Sequence, residues 1–484
     1  MTLEEAKKLA QNYNVVPIYE EILSDIKTPV EVLRILKGVS SHCFMLESVE
    51  NQEQWGRYTF LGFDPTMEIT CIDGMMTIQN GDKVSKKVSH PGELIKKILE
   101  EYRSPRIAGL PTFTGGLVGY FSYDYIKYSE PSLNLDANDE EGFKDVDLML
   151  FDKVIAFDNV RQKIIVIINI KTENLDTEYE KAASEIQNII SLIKTGTPIP
   201  VVPGKIKSEF RSLFGEADYC SMIERAKKYI FEGDIFQVVL SNRLEADYEG
   251  GLLNAYRVLR TTNPSPYMFY FSSDDLEVAG ASPETLVKLE NDILHTFPLA
   301  GTRPRGETRE EDLRLEKELL SDEKELAEHN MLVDLGRNDL GKVSKFGSVK
   351  VEKYLSIERF SHVMHIGSTV GGEIKEDKCA LDAIDAVLPA GTLSGAPKIR
   401  AIEIINKLEN NKRGIYGGAI GYIDFTGNMD TCIAIRIAFK KNGKVFVRSG
   451  AGIVADSVPK NEYQECINKA KAVMRALEMG EEEM

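Results

Sequence analysis

The chain has 484 residues, of which 43% are hydrophobic and 28% are charged, and its formal net charge is −17. This length exceeds what one simple core holds, so we expect about two to four domains or one large composite. The acidic balance argues against nucleic acid and acidic membrane surfaces as partners, because both are polyanions. It leaves room for a local basic pocket that binds a small anion.

Neither the N-terminal residues nor the apolar runs of the chain indicate secretion or a membrane-spanning segment. Residues 1–8 are charged and lack the apolar core of a signal peptide. The longest apolar run, residues 164–170, is far short of the roughly 20 residues that span a bilayer. The cysteines are scattered without close pairs, which argues against a disulfide framework or a thiolate metal site. We therefore expect a cytoplasmic protein.

The first 200 residues mix helix and strand signals. Asn80-Gly81 stands between short alternating runs, a pattern typical of a hairpin turn. Residues 115–121 contain three glycines and predict a strand that other backbones approach closely. Residues 146–170 predict two strands broken by a turn, and residues 178–194 predict a helix.

A proline-rich stretch divides the chain. Residues 196–204 contain three prolines and two glycines, which makes them the best linker candidate. We expect an N-terminal domain with a regulatory or structural role over residues 1–200. A linker at about 196–215 then leads to a second domain over residues 216–484.

The later part of the chain mixes helices with antiparallel strands. The isoleucine spacing in residues 399–408 predicts a helix, and Asn442-Gly443 predicts a hairpin between strands at 431–439 and 445–454. Strands and helices do not alternate regularly, as they would in a doubly wound sheet. The pattern favours an α+β fold.

Two predicted helices carry carboxylates at helical spacing. Glu462 and Glu465 are followed by Lys469, and Glu325 and Glu328 repeat the three-residue spacing. Residues three or four positions apart share one helix face. Two such faces suit a hard divalent cation, and magnesium in particular takes a few carboxylates plus substrate oxygens. Solvated helix faces show the same pattern, so both interpretations stay open on spacing alone.

The helix with Glu325 has predicted ends. Asp322 could cap this helix, with Glu325 reaching back as in a capping box. Glu328 has no such capping role, so it is the better candidate for a metal ligand. Gly336 is expected to end the helix in a left-handed conformation. Residues 336–342 match most of a phosphate-binding loop. Val343 stands where that loop needs a serine or threonine, so a nucleotide site is rejected.

An arginine and a histidine stand out in predicted strands. One face of the strand at 431–439 holds small residues beside the arginine, namely Cys432, Ala434, Arg436 and Ala438. The forked guanidinium could hold a planar anion at two points, or it could pair with a nearby acid or face solvent. His365 could donate a proton, or it could be a structural group. Glycines at 300–302 and 449–452 allow backbone N–H groups to approach a ligand, or they form bulges.

A series of motifs in one order resembles a known enzyme family. The motifs occupy residues 233–239, 280–284, 298–303, 331–339 and 391–398, and they end with the helix that carries Glu465. They resemble the large, chorismate-binding subunits of anthranilate synthase, in the chorismate-utilising enzyme family. The resemblance runs nearly end to end and is strongest from about 216 to 478.

The resemblance implies a fold, a metal and a set of site residues. The fold would be a large α+β composite of antiparallel sheets packed with helices, with the catalytic site in the second domain. Glu328 and Glu465 would ligate Mg²⁺, which holds the ring carboxylate of chorismate. His365 matches a residue near the enolpyruvyl group and Thr392 one beside the ring, and these two are the expected catalytic residues. The implied substrate contacts are Gly301, Thr302, Tyr416, Arg436, Gly450, Ala451, Gly452 and Lys469.

Two positions distinguish the branches of this family. Isochorismate and salicylate synthases carry a lysine where this chain has Gln237, and aminodeoxychorismate synthases carry one where it has Ala300. Because both lysines are absent, the resemblance implies that ammonia adds to chorismate and pyruvate is lost, giving anthranilate for tryptophan synthesis. The alternatives are an aminodeoxyisochorismate synthase that stops before pyruvate release and a catalytically silent tryptophan-sensing subunit.

The same resemblance implies regulation and a partner. Residues 46–48 resemble the family's tryptophan feedback motif, and residues 263–268 resemble its second half. The inhibitor site for L-tryptophan would be lined by Ser48, Pro266, Tyr267 and Met268. No glutamine-hydrolysing cysteine is apparent. Ammonia is therefore expected from a separate glutamine amidotransferase subunit, component II, in a heterotetramer, or from free ammonium.

Overall fold

The computed structural model describes residues 1–48, 56–359 and 363–482. Its helices are α1 (Leu3–Leu9), α2 (Pro29–Leu36), α3 (Pro91–Glu100), α4 (Ile126–Ser129), α5 (Leu175–Thr195), α6 (Glu216–Phe231), α7 (Leu253–Thr262), α8 (Arg309–Ser321), α9 (Glu323–Val343), α10 (Ala380–Val387), α11 (Lys398–Glu409) and α12 (Pro459–Met479). Short 3₁₀ turns lie at Tyr123–Tyr125 and Gly391–Leu393.

The strands fall on both sides of the predicted linker. Up to residue 200 they are β1 (Val15–Leu23), β2 (Cys43–Glu47), β3 (Tyr58–Phe63), β4 (Met67–Ile72), β5 (Met75–Asn80), β6 (Asp82–Lys87), β7 (Gly116–Phe121), β8 (Val146–Phe151), β9 (Lys153–Asp158) and β10 (Lys163–Lys171). The others are β11 (Lys205–Ile206), β12 (Arg211–Ser212), β13 (Gln237–Glu249), β14 (Tyr267–Ser272), β15 (Glu277–Ser282), β16 (Thr285–Glu290), β17 (Ile293–Thr296), β18 (Leu299–Pro304), β19 (Lys350–Arg359), β20 (Val363–Glu373), β21 (Gly395–Ala396), β22 (Ala419–Asp424), β23 (Met429–Ile433), β24 (Ile437–Lys441) and β25 (Lys444–Ile453).

These strands form two large sheets. Sheet one has 13 strands in the order β1-β10-β9-β3-β2-β14-β15-β24-β25-β13-β11, and β12 and β21 also pair with β13. Sheet two has 12 strands in the order β18-β20-β17-β16-β23-β22-β7-β8-β4-β5-β6, and β19 also pairs with β20. Neighbouring strands are antiparallel, as in the pairs β13–β25 and β7–β22. The α+β prediction is confirmed.

The two sheets share an apolar core. Phe44, Phe60 and Val154 from sheet one pack with Val118 and Tyr422 from sheet two in one buried cluster. A second buried cluster lies between sheet one and helices that include α2, α5, α7 and α12. A third lies between sheet two and helices that include α3, α9 and α10. Helices therefore cover the outer faces, while the apolar inner faces of the sheets meet each other.

Each sheet joins a block of strands from before the predicted linker to a block from after it. In sheet one β2 pairs with β14, and in sheet two β7 pairs with β22. The linker region itself contains β11 and β12, which pair with β13. The division into residues 1–200 and 216–484 stays a prediction, and the structure shows that the two parts share both sheets.

Two strand predictions are wrong for the same reason. Residues 146–170 form three strands, because the chain leaves sheet two after β8 and enters sheet one at β9. Residues 431–439 belong to β23 of sheet two and β24 of sheet one, with the crossing at 434–436. An apolar run stays apolar across such a crossing because both inner faces are buried, so periodicity does not reveal it.

Several local predictions are confirmed. The predicted hairpin at Asn80-Gly81 joins β5 to β6, and Asn442 and Gly443 join β24 to β25 with φ values of +52° and +73°. Both positive φ values are what a type I′ turn requires. The expected helices at 178–194 and 399–408 lie within α5 and α11.

The prediction that Gly336 ends its helix is wrong, since α9 continues to Val343. A Cβ at Gly336 would lie 3.0 Å from Thr296 Cγ2, so the missing side chain lets the helix lie close to β17. Among the described residues, no helix is both long enough and apolar enough to cross a membrane.

Candidate active site

A cleft of about 800 Å³ opens between α9, α12, β18 and the end of β25. It brings together most of the residues implied by the resemblance, namely Gly301, Thr302, Glu328, His365, Thr392, Tyr416, Arg436, Gly450, Gly452, Glu465 and Lys469. The structure places Ala451 elsewhere. Its side chain is fully buried in the apolar cluster beneath α6 and α11, because successive residues of a strand point to opposite faces.

Two helices bring four carboxylates to the cleft. α9 contributes Glu325 and Glu328, and α12 contributes Glu462 and Glu465. Burial raises the pKa of Glu328, and the charges of Glu325 and Glu465 add to that rise, against opposing lysines. Burial also raises the pKa of Glu462, with Glu465 contributing. Hard oxygen donors that repel one another across a cleft fit a divalent cation.

The carboxylates do not form a closed metal cage. Across the described parts of the chain, no three His, Cys, Asp or Glu side chains converge into a ready-made metal site. Such an arrangement fits an ion that takes one or two protein carboxylates and completes its shell with substrate oxygens and water, as magnesium does. Asp322 caps α9 as predicted, accepting hydrogen bonds from the backbone N–H groups of Lys324 and Glu325.

Arg436 lies at the crossing between β23 and β24, with φ of +52°. A non-glycine residue in this region is strained, so the surroundings must hold it there. More than a third of the residue is accessible, because its side chain faces the open cleft. The carboxyl of Glu284 interacts electrostatically with this guanidinium, so the interpretation of Arg436 as an arginine near an acid stays open beside that of an anion-binding residue.

Glu284 is a cleft residue to which the sequence analysis gave no role. It follows Pro283 in the turn between β15 and β16, and its Oε2 accepts a hydrogen bond from Thr392 Oγ1 at 3.1 Å. Burial raises the pKa of this carboxyl, while Arg436 and Lys469 partly offset the rise. A carboxyl that keeps its proton to a higher pH than usual suits the role of a proton donor. The motif at 280–284 includes Glu284, but the enclosure of its carboxyl depends on residues that are distant in the chain.

His365 is oriented by the strand opposite its own. Its Nδ1 lies 2.8 Å from the carbonyl oxygen of Gly301, so Nδ1 carries the proton and donates it to that oxygen. Thr302 Oγ1 lies 3.2 Å from the same nitrogen. Burial lowers the pKa of His365, and the nearby Arg436 lowers it further. The imidazole is therefore a neutral, fixed group at neutral pH.

Glycines keep the floor of the cleft open. A Cβ at Gly450 would lie 3.1 Å from the Tyr416 hydroxyl, and one at Gly452 would lie 2.9 Å from Gln237 Nε2. Lys469 Nζ donates to the Gly450 carbonyl oxygen at 3.2 Å. Any side chain at these two glycines would crowd the cleft.

A second cavity of about 300 Å³ lies between β2 and β14 of sheet one and β16, β22 and β23 of sheet two. It contains all four predicted inhibitor contacts, Ser48, Pro266, Tyr267 and Met268. Charged side chains of both signs also line it, namely Glu47, Arg57, Lys288, Glu290 and Asp430. Apolar walls with paired charges suit a zwitterionic ligand that carries an apolar group.

Glu47 fixes one wall of this second cavity. It is buried, and it accepts hydrogen bonds from the Tyr256 hydroxyl and from Arg260, whose Nη2 lies 2.9 Å from its Oε2. The position of Glu47, in the short motif at 46–48, thus depends on partners more than 200 positions away in the chain.

The sequence and the fold of this chain are similar to those of known proteins. The family described as chorismate binding enzyme matches residues 41–475. The chain is 47% identical to anthranilate synthase component 1 of Acetivibrio thermocellus, covering 99% of this chain and 98% of that relative. The chain therefore belongs to the chorismate binding enzyme family, which confirms the resemblance inferred from the motifs.

Solved structures agree with this assignment. Anthranilate synthase component I from Streptococcus pneumoniae TIGR4 is 38% identical with a TM-score of 0.78, covering 89% of this chain and 93% of that chain. The menaquinone-specific isochorismate synthase from Escherichia coli is 19% identical with a TM-score of 0.70, covering 98% of both chains. The second likeness concerns the fold alone.

Proposed function

We propose that the chain is the large subunit of an anthranilate synthase, which converts chorismate and ammonia to anthranilate, pyruvate and water. The observation that carries this proposal is the cleft, where carboxylates of α9 and α12 face Arg436, His365 and the partly buried Glu284. Near-full-length identity of 47% to an anthranilate synthase component 1 supports it. The reaction would be the first step of tryptophan synthesis, in the cytoplasm.

The cleft chemistry favours ammonia over water as the nucleophile. Gln237 and Ala300 both line the cleft, at the two positions where other branches of the family place a lysine. An amide and a methyl group are not bases that could activate water. Ammonia needs no such activation, and a glutamine amidotransferase subunit, assembled with this chain in a heterotetramer, would supply it.

Each side chain then has a role that its geometry supports. Arg436, with backbone groups at Gly450 and Gly452, binds a carboxylate of the substrate. The neutral His365 lies beside the enolpyruvyl group, held by its bond to the Gly301 carbonyl. Glu284 gives its proton to the C4 hydroxyl, which leaves as water while ammonia adds at C2. Loss of the C2 proton and of pyruvate leaves the aromatic amine.

We further propose that Glu328 and Glu465 hold Mg²⁺, with Glu325 and Glu462 beside them. When bound, the ion polarises the ring carboxylate of the substrate. Replacing Glu465 with glutamine is expected to weaken Mg²⁺ binding by more than about tenfold, because a ligating charge is lost. Calorimetric titration of Mg²⁺ with chorismate present and ammonium absent measures this.

Glu478→Gln, a change at an exposed position of the same helix, is the matched control and should leave Mg²⁺ binding unaltered. Equal Mg²⁺ affinity in Glu465→Gln and the control would disprove the metal assignment. Binding of tryptophan is expected in both variants, and it serves as a check on folding.

The second cavity is proposed to bind L-tryptophan as a feedback inhibitor. Its apolar walls suit an indole, and Lys288 and Asp430 provide opposite charges for a carboxylate and an ammonium group. A catalytically silent sensor would need this cavity but not the catalytic cleft. The presence of both supports an enzyme that is regulated by its end product.

The experiment that tests the proposed function uses the purified chain with chorismate, Mg²⁺ and ammonium. Anthranilate and pyruvate are the expected products. Isochorismate, or an amino intermediate without pyruvate, would contradict the proposal in favour of another branch of the family.

A further inference from the structure

A hydrogen-bonded series of side chains leads from the second cavity toward the cleft. The Tyr267 hydroxyl, which lines the second cavity, donates to Asp430 Oδ1 at 2.8 Å. The same hydroxyl lies 2.9 Å from Thr285 Oγ1. Because the tyrosine proton is used on Asp430, the Thr285 hydroxyl donates to the tyrosine oxygen. The orientation of Thr285 therefore depends on a side chain of the cavity wall.

Thr285 is the residue after Glu284, the proton donor of the cleft. The turn that carries both is fixed on the end of β23, since Ile433 N donates to the Glu284 carbonyl oxygen at 2.9 Å. Ser282 Oγ in turn donates to the Ile433 carbonyl oxygen at 2.7 Å. A displacement of Thr285 therefore moves Glu284 against its Thr392 partner, because nothing flexible separates the two residues.

β23 and the residues that follow it form part of the walls of both sites. Asp430 and Cys432 on this strand line the second cavity. The chain then passes from Ile433 to Arg436, which faces the cleft with φ of +52°. A strained position of this kind is held by its surroundings and changes when they shift. The walls of the second cavity are thus continuous with both the proton donor and the anion-binding arginine.

We infer that the hydrogen bond between Tyr267 and Thr285 is the positioning contact through which an amino acid in the second cavity alters the placement of Glu284 in the cleft. This inference rests on the proposed function and deepens its regulation. Coupling between two sites is reciprocal, so a substrate in the cleft must change the affinity of the second cavity by the same factor. The coupling can therefore be measured by binding alone.

The test measures the Kd of L-tryptophan for the full chain by calorimetry, with and without saturating chorismate and Mg²⁺, and without ammonium. In the unaltered chain, chorismate is expected to weaken tryptophan binding by about 5–150-fold. The ratio of the tryptophan Kd with chorismate to that without it is expected to fall below about twofold in Thr285→Val, because the hydroxyl is lost at nearly constant shape. Thr285→Ser, which keeps the hydroxyl, should retain most of the ratio.

Thr431→Val is the matched control. Thr431 is also buried, and its hydroxyl donates to the Val287 carbonyl oxygen on β16, at 2.8 Å, rather than to Tyr267 or Glu284. The Thr431→Val variant should keep the full ratio of the two Kd values. Thr285 is not among the described residues that line the second cavity, so the Kd without chorismate should change little in Thr285→Val.

An unchanged ratio in Thr285→Val, or an equal loss in Thr431→Val, would overturn the inference. Absence of tryptophan binding, or of any coupling, in the unaltered chain would instead refute the proposed regulation. Should Thr285→Val fail to fold, Thr285→Ala gives the same measurement without the extra methyl group, and a retained ratio there would equally overturn the inference.

Discussion

Replacing Glu284 with glutamine is expected to lower kcat by about 10²–10⁴-fold, the usual contribution of a positioned proton donor. The amide keeps the shape and can still accept the hydrogen bond from Thr392. It cannot supply a proton to a leaving hydroxyl. The substrate contacts at Arg436 and Gly450 are untouched, so KM should change much less than kcat.

The pH profile provides an independent check on Glu284. Because the proposed role of Glu284 is to donate a proton, its protonated form is the active one, and kcat should fall as pH rises through its pKa, which burial raises. Glu284→Gln should lose this limb of the profile. Glu232→Gln, at an exposed position that ends α6, is the control and should match the unaltered chain. A Glu284→Gln variant with kcat within threefold of the control would refute the role given to Glu284.

Replacing Glu409 with glutamine is expected to destabilise the fold by about 3–5 kcal/mol, the usual cost of leaving buried charges without their partner. Glu409, Arg413 and Arg448 are nearly inaccessible, at 1% exposure of each side chain. Glu409 also accepts hydrogen bonds from Ser241. The variant would leave two buried guanidinium groups facing an amide.

This cluster lies directly beneath the cleft. Arg413 Nη1 donates to the Leu393 carbonyl oxygen at 2.6 Å, next to Thr392, and Arg448 lies on β25. Burial alone would raise the pKa of Glu409, but the two guanidinium groups lower it below its ordinary value of 4.5. Its contribution to stability is therefore fully present above pH 4.5 and is lost as pH falls through the lowered pKa.

Thermal and urea unfolding measure the effect. The control is Glu403→Gln on the exposed face of α11, where the Arg400 partner is half exposed and the pair contributes about 0–1 kcal/mol. A melting temperature and urea midpoint for Glu409→Gln equal to those of Glu403→Gln would show that the buried cluster contributes nothing to stability.

Most of the site residues that the resemblance implies line one cleft, although the motifs that carry them are far apart in the chain. Local patterns predicted hairpins such as Asn442-Gly443, whose conformation depends on adjacent residues alone. They did not predict the crossing at 434–436, since both sheets bury apolar residues there. Local patterns also did not predict the positive φ of Arg436, because such a value is rare outside glycine and is imposed by packing.

Residues that are adjacent in the sequence can face different sides of the structure. Gly450, Ala451 and Gly452 are adjacent, yet the alternation of β25 turns Ala451 away from the cleft. Burial raises the pKa of Glu284, while the hydrogen bond from Thr392, more than 100 positions away, partly lowers it. Interactions of this kind follow from the completed fold and leave no local signature.

The proposed reaction of this chain joins ammonia to chorismate and releases pyruvate. It is tested by incubating the purified full chain with chorismate, Mg²⁺ and ¹⁵N-ammonium and following the products by NMR. We expect ¹⁵N-anthranilate and pyruvate in equal amounts. A ¹⁵N-labelled amino intermediate without pyruvate, or isochorismate without ¹⁵N, would contradict it.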